Sequence, residues 1–463
     1  MCGVCGIWSP AATDPTDAAR MEFFSLYALQ HRGQESAGIA ATDGRDIRVV
    51  RRMGLVGQVF AEPDLGALGG HAAIGHTRYS TTGSSRIDNA QPMVVRGEGL
   101  GDLAIAHNGN CINARELRDP LRAEGVEFST SSDTEVVAQA IANAAGVTWD
   151  ERLARALPRL AGAWSLVLLT PRALYAIRDP LGVRPLCLGR KGDSWLVASE
   201  TCALDTVGAT FIRDVAPGEV IRIDDRGPES ILDLAAPARG LCLFEHVYLA
   251  SASSTLGGVS LYATRERMGE ALALEHPADA DVVIPVPDSA IPAAVGYART
   301  SGIPFREGLI KNRYIGRTFI QPSQELRAHN VALKYNALRD VLDGKRVVVV
   351  DDSIVRGSTS GPIVQLLRRS GAREVHMRVC SPPIRHACYF GVDMARRDEL
   401  IASHLDVAAI RDHVGADTLG YLSLEGLIGA TGGKPDEFCG ACFTGDYPVP
   451  VQLELAKEML EPS

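Results

Sequence analysis

The second residue of the chain is a cysteine, in the stretch MCGVCGIW. Removal of Met1 would give Cys2 a free α-amino group beside its own thiol, a nucleophile with a built-in base. A thiol titrates at roughly 8.5 and an α-amine at roughly 8, so both exchange protons near neutral pH. Nucleophiles paired with an N-terminal amine are an established catalytic arrangement. Cys5 is internal and lacks that amine, and on position alone a terminal cysteine without a task reads equally well. A second chemical set lies far downstream, in KRVVVVDDSIVRGSTSG (345–361). There a buried strand delivers Asp351 and Asp352 to the carboxyl edge of a sheet, where α/β folds bind ligands. The loop that follows offers Arg356, Gly357, Ser358 and Thr359 just ahead of a helix, a phosphate-binding arrangement. Acids for sugar hydroxyls beside donors for phosphate suit a ribose 5-phosphate; the plainer alternative is a strand end that only caps the helix. A third set is CGAC, Cys439 and Cys442, a spacing found in metal and redox sites.

These groups need a scaffold, and 463 residues with 46% hydrophobic and 22% charged residues can build one of two or three domains. The formal net charge of −9 argues against a nucleic-acid surface. No apolar run reaches membrane-spanning length and the start lacks signal-peptide character, so the chain reads as cytoplasmic with small-molecule partners. Ten cysteines are too sparse for a disulfide scaffold. Cys111, Cys187, Cys202 and Cys380 read as inert core residues.

The first half is rich in strand signals: RDIRVVRRMG, HAAIGHTRYSTTG, DLAIAHNGN, WSLVLLTPRALYAIRDP, WLVASE and GEVIRIDD. Helices are predicted over 18–33, ending on Gly33, and over SDTEVVAQAIANAA, which opens with a capping residue. This half reads as α+β. The polar, Pro- and Gly-containing stretch 226–241 reads as a linker. Beyond it, DVVIPVP with DSAIPAAVGYA, and KRVVVV with its following helix, read as βα units of a parallel sheet covered on both faces. GADTLGYLSLEGLIGA and VQLELAKEML are predicted as short terminal helices.

HTRYSTTG (76–83), AHNGN (106–110), TSSDTE (130–135) and LQHRGQESAGIA (29–40) together resemble the glutaminase domain of the N-terminal-nucleophile amidotransferases. The resemblance implies that Cys2 attacks the glutamine side-chain amide, with Asn108 and the backbone NH of Gly109 as oxyanion hole. It also implies that Arg78 binds the substrate carboxylate and Asp133 its ammonium. Read singly, Arg78 is equally a surface ion-pair partner and Asp133 an N-cap.

The stretch around Asp351 resembles the phosphoribosyl pyrophosphate (PRPP) fingerprint of type I phosphoribosyltransferases. That implies ribose hydroxyls on Asp351 and Asp352, the 5-phosphate on the 356–359 loop, Ser353 as a further PRPP ligand, and Ser289 of VPDSA (286–290) near magnesium and pyrophosphate, with the two acids as magnesium ligands. KNRYIGRTFIQPSQELR (311–327) is similar to the loop that closes over PRPP, with Lys311 and Tyr314 as ligands, or else is a solvated basic face. A glutaminase followed by such a domain resembles the amidophosphoribosyltransferase family. The resemblance implies a glutaminase domain of stacked β-sheets between helices at 2–235 and an α/β phosphoribosyltransferase domain at 242–463. The implied chemistry is transfer of glutamine-derived ammonia to PRPP, which gives 5-phosphoribosylamine, glutamate and pyrophosphate and opens purine synthesis.

SPPIRHACYFGVD and FCGACFTGDYP resemble the iron–sulfur-bearing subset, with Cys242, Cys388, Cys439 and Cys442 as ligands of a [4Fe-4S] cluster; four thiolates suit zinc as well. Such a cluster is expected to clamp the linker onto the second domain. The resemblance further implies a homodimer or homotetramer restrained by purine nucleotides. The sequence departs from the family pattern at Cys5, usually apolar, at Ser251–Ser254, where Arg-Pro-Asp-Ser is typical, and at Ala290, where glycine is frequent. Relatives with a cluster commonly carry a short propeptide, whereas Cys2 directly follows Met1. Rival readings are another glutamine amidotransferase, whose sugar-isomerase or ATP-pyrophosphatase segments are not found, and a PRPP-sensing module without turnover.

Overall fold

Two antiparallel sheets lie face to face in the first half of the computed structural model, which describes residues 1–10, 17–80, 83–236, 239–312, 333–394, 396–451 and 460. The seven-stranded sheet runs Thr210–Asp214, Cys187–Lys191, Ser194–Ala198, Gly3–Trp8, Ala72–Arg78, Ser36–Thr42, Ile47–Met53. The six-stranded sheet runs Gly227–Asp233, Glu219–Asp224, Leu174–Arg178, Gly162–Leu169, Gly101–Cys111, Met93–Gly97. Strand alternation explains the stacking. Val4 and Trp8 face Val167, Leu169 and Leu174 between the sheets, whereas Cys5 and Ile7 face the helix Asp17–Ala28 on the outside. Helices Asp133–Ala142 and Trp149–Ala156 cover the far face of the second sheet. The result is helix, sheet, sheet, helix.

The strand Gly3–Trp8 is buried at every residue and sits mid-sheet between Ser194–Ala198 and Ala72–Arg78. A terminus paired on both sides is ordered where a terminus normally frays.

The second half holds a four-stranded, all-parallel sheet in the order Val282–Pro285, Arg346–Asp351, Glu374–Val379, Thr418–Tyr421. Val348 and Val350 face the helices Leu261–Glu275 and Ile291–Ser301, while Val347 and Val349 face Ser360–Arg369 and Val407–Val414. Burial on both faces is why VVVV shows no polar alternation.

Three sequence expectations need correction. The helix from residue 17 ends at Ala28, and residues 29–33 turn instead, packing Gly33 against the Thr77 backbone. Part of the expected linker, Gly227–Asp233, is an edge strand paired with Glu219–Asp224; Pro228 is tolerated because one side of an edge strand has no partner. GADTLGYL opens with the strand Thr418–Tyr421, and only Leu424–Thr431 is helical. Most of the expected helix VQLELAKEML lies outside the described residues. Cys111, Cys187, Cys202 and Cys380 are buried as expected. Among the described residues no helix is long and apolar enough to cross a membrane.

Candidate active sites and a cysteine cavity

Cys2 lies at the head of its strand with 6% of its surface exposed. Its backbone NH donates to Asn108 Oδ1 at 3.2 Å, and its thiol donates to the Tyr79 carbonyl at 3.5 Å. Burial raises the thiol pKa above its ordinary value, so at neutral pH the sulfur needs a base to give up its proton. The Met1 α-amine stands in the same pocket, and burial lowers it to about 5. With Met1 attached, the nitrogen of Cys2 is an amide; removal of Met1 would turn it into an amine.

Asn108 and Gly109 lie on the strand Gly101–Cys111, opposite Ser165 and Trp164. Asn108 is fully buried, its Oδ1 is taken by Cys2, and its Nδ2 has no hydrogen-bond partner among the described residues. A buried amide donor left unmatched is costly and rare. Gly109 has φ of +148°, and a Cβ there would strike the Ala163 carbonyl, so the position admits only glycine.

Arg78 ends the strand Ala72–Arg78 at 2% exposure, donating to the Ser84 carbonyl at 3.1 Å and facing Glu35 at 3.4 Å. Asp133 is 4% exposed and accepts from the Cys111 NH at 2.9 Å. The N-cap of its helix is Ser132, not Asp133, which is thereby left for another task. Burial lowers the pKa of the neighbouring His107, whose Nδ1 lies 3.7 Å from Asp133 Oδ2.

In the second half, two loops meet. Ser289, in the loop after Val282–Pro285, contacts Asp352, which also accepts from the Ser353 hydroxyl at 2.6 Å. Burial and the charge of Asp352 push the Asp351 carboxyl well above the usual range. Two adjacent buried acids of this kind invite a cation. Arg356, Ser358 and Thr359 are exposed, Gly357 has φ of +71°, and Thr359 makes no side-chain cap, which leaves the start of Ser360–Arg369 without a capping side chain. Lys311 pairs with Asp288, beside Ser289. Tyr314 and the rest of 313–327 lie outside the described residues.

Cys242, Cys388, Cys439 and Cys442 all line one narrow cavity, with Arg184, Phe244, Phe390 and Tyr447. A two-residue parallel ladder sets Cys242 beside Cys439. Burial raises the thiols of Cys242 and Cys442, and pushes Cys439 up to about 12. Four cysteines around one space, Cys242 and Cys439 buried and Cys388 and Cys442 half-buried, fit a soft, multi-iron group. Among the described residues no three His, Cys, Asp or Glu side chains form a set able to hold a single metal ion.

Sequence reasoning missed a set of buried ionic residues: Arg32, Arg184, Glu200 and Glu245. Arg32 donates to the Cys2 carbonyl at 2.9 Å and pairs with Glu200 at 2.5 Å and Glu245 at 2.9 Å. Burial opposes its ionisation, but His31 and Arg32 hold the Glu200 carboxyl well below the usual range. Glu200 also receives the Ser251 NH at 2.8 Å and the Ser254 hydroxyl at 2.7 Å, so the divergent 251–254 stretch is docked. Cys5 is 1% exposed and points away from Cys2 toward Glu22; Ala290 is the N-cap of Ile291–Ser301.

The glutamine amidotransferase domain family matches residues 76–206, and the phosphoribosyl transferase domain family matches 266–383. Amidophosphoribosyltransferase of Synechococcus elongatus is 50% identical over 99% of this chain and 94% of its own length. The chain belongs to the amidophosphoribosyltransferase family. The Bacillus subtilis amidophosphoribosyltransferase is 46% identical over 97% of the chain and 94% of its own length. The solved glutamine PRPP amidotransferase of B. subtilis, complexed with ADP and GMP, superposes with a TM-score of 0.92 at 44% identity, covering 99% of this chain and all of that one. The amidophosphoribosyltransferase match spans both halves, so it accounts for the stacked sheets and for the parallel sheet together.

Proposed function

We propose that this amidophosphoribosyltransferase takes ammonia from glutamine in its first half, residues 2–235, and delivers it to PRPP in its second, residues 242–463. The products are 5-phosphoribosylamine, glutamate and pyrophosphate, the first step of purine synthesis. After loss of Met1, the Cys2 amine takes the thiol proton and the sulfur attacks the glutamine amide carbon. Asn108 Nδ2 and the Gly109 NH receive the oxyanion, a contribution of about 3 kcal/mol per donor. The Cys2 ammonium returns that proton to the amide nitrogen as the intermediate collapses, so ammonia leaves and a thioester remains, which water hydrolyses to glutamate and the free thiol. Arg78 and Asp133 hold the substrate carboxylate and ammonium; Arg78 exchanges its internal partners for the ligand. The observation that carries this reading is the unmatched Asn108 Nδ2, fully buried beside the nucleophile.

At the acceptor site Asp351 and Asp352 bind the ribose hydroxyls, and Ser353 and the 356–359 loop the 5-phosphate. Ser289 and the two acids would hold magnesium, which neutralises charge developing on pyrophosphate as it leaves. Lys311 and Tyr314 complete the PRPP contacts. Ammonia attacks the anomeric carbon as the bond to pyrophosphate breaks. Cys242, Cys388, Cys439 and Cys442 would hold a [4Fe-4S] cluster in a structural capacity, clamping residue 242 to the carboxyl-terminal segment. The chain assembles as a homo-oligomer and responds to purine nucleotides.

The test is to incubate anaerobically purified protein with glutamine, PRPP and magnesium and to follow glutamate and pyrophosphate together. A Cys2→Ala control receives either glutamine or ammonia. Matched release by the parent, with the control active on ammonia alone, is expected. Glutamate without pyrophosphate would refute the acceptor assignment, and neither product would refute both.

A further inference from the structure

Beyond the groups that touch substrate, one carboxylate stands behind both halves of the glutaminase site. Glu245 lies in the turn Glu245–Leu249, three residues beyond Cys242, and is fully buried. It accepts from Arg32 at 2.9 and 3.1 Å and from Arg184 at 3.2 Å. Both guanidiniums are fully buried. Each then grips one piece of the site. Arg32 Nε donates to the carbonyl of Cys2 at 2.9 Å, next to the attacking sulfur. Arg184 donates to the carbonyl of Phe390 at 2.7 Å through Nε and at 2.5 Å through Nη2.

The residue after Phe390 is Gly391, whose backbone packs on Gly109. A methyl at Gly391 would come within 3.0 Å of the Gly109 Cα and carbonyl carbon, at a φ of +103° that disfavours any side chain. Asn110, the neighbour of Gly109, donates to the Tyr389 carbonyl at 2.9 Å. The segment 389–391 is therefore a backing plate for the oxyanion strand, and Arg184 pins it.

We propose that Glu245 is a positioning residue for glutamine hydrolysis, fixing the nucleophile through Arg32 and the oxyanion hole through Arg184 and Gly391. The inference rests on the reading of Cys2, Asn108 and Gly109 given above. A chain terminus needs such an anchor, because nucleophile and oxyanion donors come from distant segments. A misplacement of about 1 Å costs roughly 10²-fold in rate. The anchor also joins the glutaminase site to the segment carrying Cys388, since Arg184 lines the cysteine cavity.

The experiment compares Glu245→Gln, Glu245→Asp and Gly391→Ala in the full anaerobic chain with the parent. For each, kcat and KM for glutamine, pyrophosphate release with ammonia, the rate of Cys2 alkylation by a diazoketone analogue of glutamine, iron content and thermal unfolding are measured. Glu245→Gln is expected to lower the glutamine kcat about 10²-fold and slow alkylation in step. KM for glutamine stays within about threefold, and the ammonia-dependent rate and iron content stay near the parent. Glu245→Asp, which restores the charge, regains part of the loss. Gly391→Ala disturbs the backing plate but leaves the ion cluster intact, and serves if Glu245→Gln does not fold; it should show the same split between kcat and KM. A glutamine kcat within threefold of the parent in the folded variants would overturn the proposal. So would equal loss of the glutamine and ammonia activities, the mark of a merely structural role. A Cys2→Ala protein still active with glutamine would instead overturn the reading of the site itself.

Discussion

The two reactive centres are built to opposite plans. Around Cys2, every group assigned to catalysis is buried and already held: Asn108 is fully buried, Arg78 and Asp133 are nearly so, and arginine–glutamate pairs back the backbone. Around Asp351 the acids are buried, but Arg356, Ser358 and Thr359 are exposed, and Arg356 spends its charge on Glu399 at 2.6 Å. The difference follows from where charge arises. Amide hydrolysis develops an oxyanion on a neutral group, so donors must be aimed beforehand in a dry site. PRPP arrives carrying its charge, and a cation with an open donor loop can assemble around it.

The contrast can be broken most sharply at the oxyanion hole. Asn108→Ala should lower glutamine-dependent pyrophosphate release about 10²- to 10³-fold while ammonia-dependent release stays within twofold, measured side by side at saturating PRPP. Asp352→Asn is the mirror image: both routes to pyrophosphate fall about equally, because both need the acceptor. Equal sensitivity of the two routes to Asn108 would erase the contrast.

Smaller effects sharpen it. Anaerobic chelation that strips iron should lower the unfolding temperature before ammonia-dependent turnover declines; unfolding unchanged in an iron-free sample would reject the clamp. Asp351→Asn should stabilise the ligand-free chain by about 1–2 °C at pH 7 while removing activity. The pKa of the Asp351 carboxyl is raised in the folded state, so its ionisation opposes folding as pH climbs above the ordinary value of roughly 3.9. The advantage of the variant should therefore appear above about pH 4 and vanish below it. Glu200 behaves in the opposite sense. Its pKa is depressed on folding, so its contribution is complete above roughly pH 4.3 and drains away only as pH falls toward the lower folded value. Urea titrations of Glu200→Gln and the parent should differ most above pH 4.3 and converge in stronger acid.

What could be read from sequence was what is local. The βα units around Asp351 announce themselves because strand, loop and helix are contiguous, and the four cavity cysteines were nameable from short segments. GVCGIW escaped as a strand because burial on both faces erases alternation, leaving a short apolar run without a period. Gly227–Asp233 looked like a linker because an edge strand with Pro228 and Glu229 has a polar composition; only pairing with Glu219–Asp224 makes it sheet. Glu200 and Glu245 gave no signal, since their partners come from distant segments and no spacing encodes a buried ion cluster. Arg32 sat inside a quoted segment, yet nothing there foretold its grip on the Cys2 carbonyl.

The ladder that sets Cys242 beside Cys439 also constrains the order of events at birth. Roughly 200 residues separate the two, so a ribosome finishes the stacked sheets of the first half long before the second cysteine emerges. Nascent chains thus pass through a stage in which Glu245, Arg184 and Cys242 are made and Cys439, the ladder partner of Cys242, is not. A chain halted short of residue 439 has the strands of the stacked sheets but lacks Cys439, Cys442 and also Leu460, which packs into the first-half core and accepts from Arg118 at 3.0 Å.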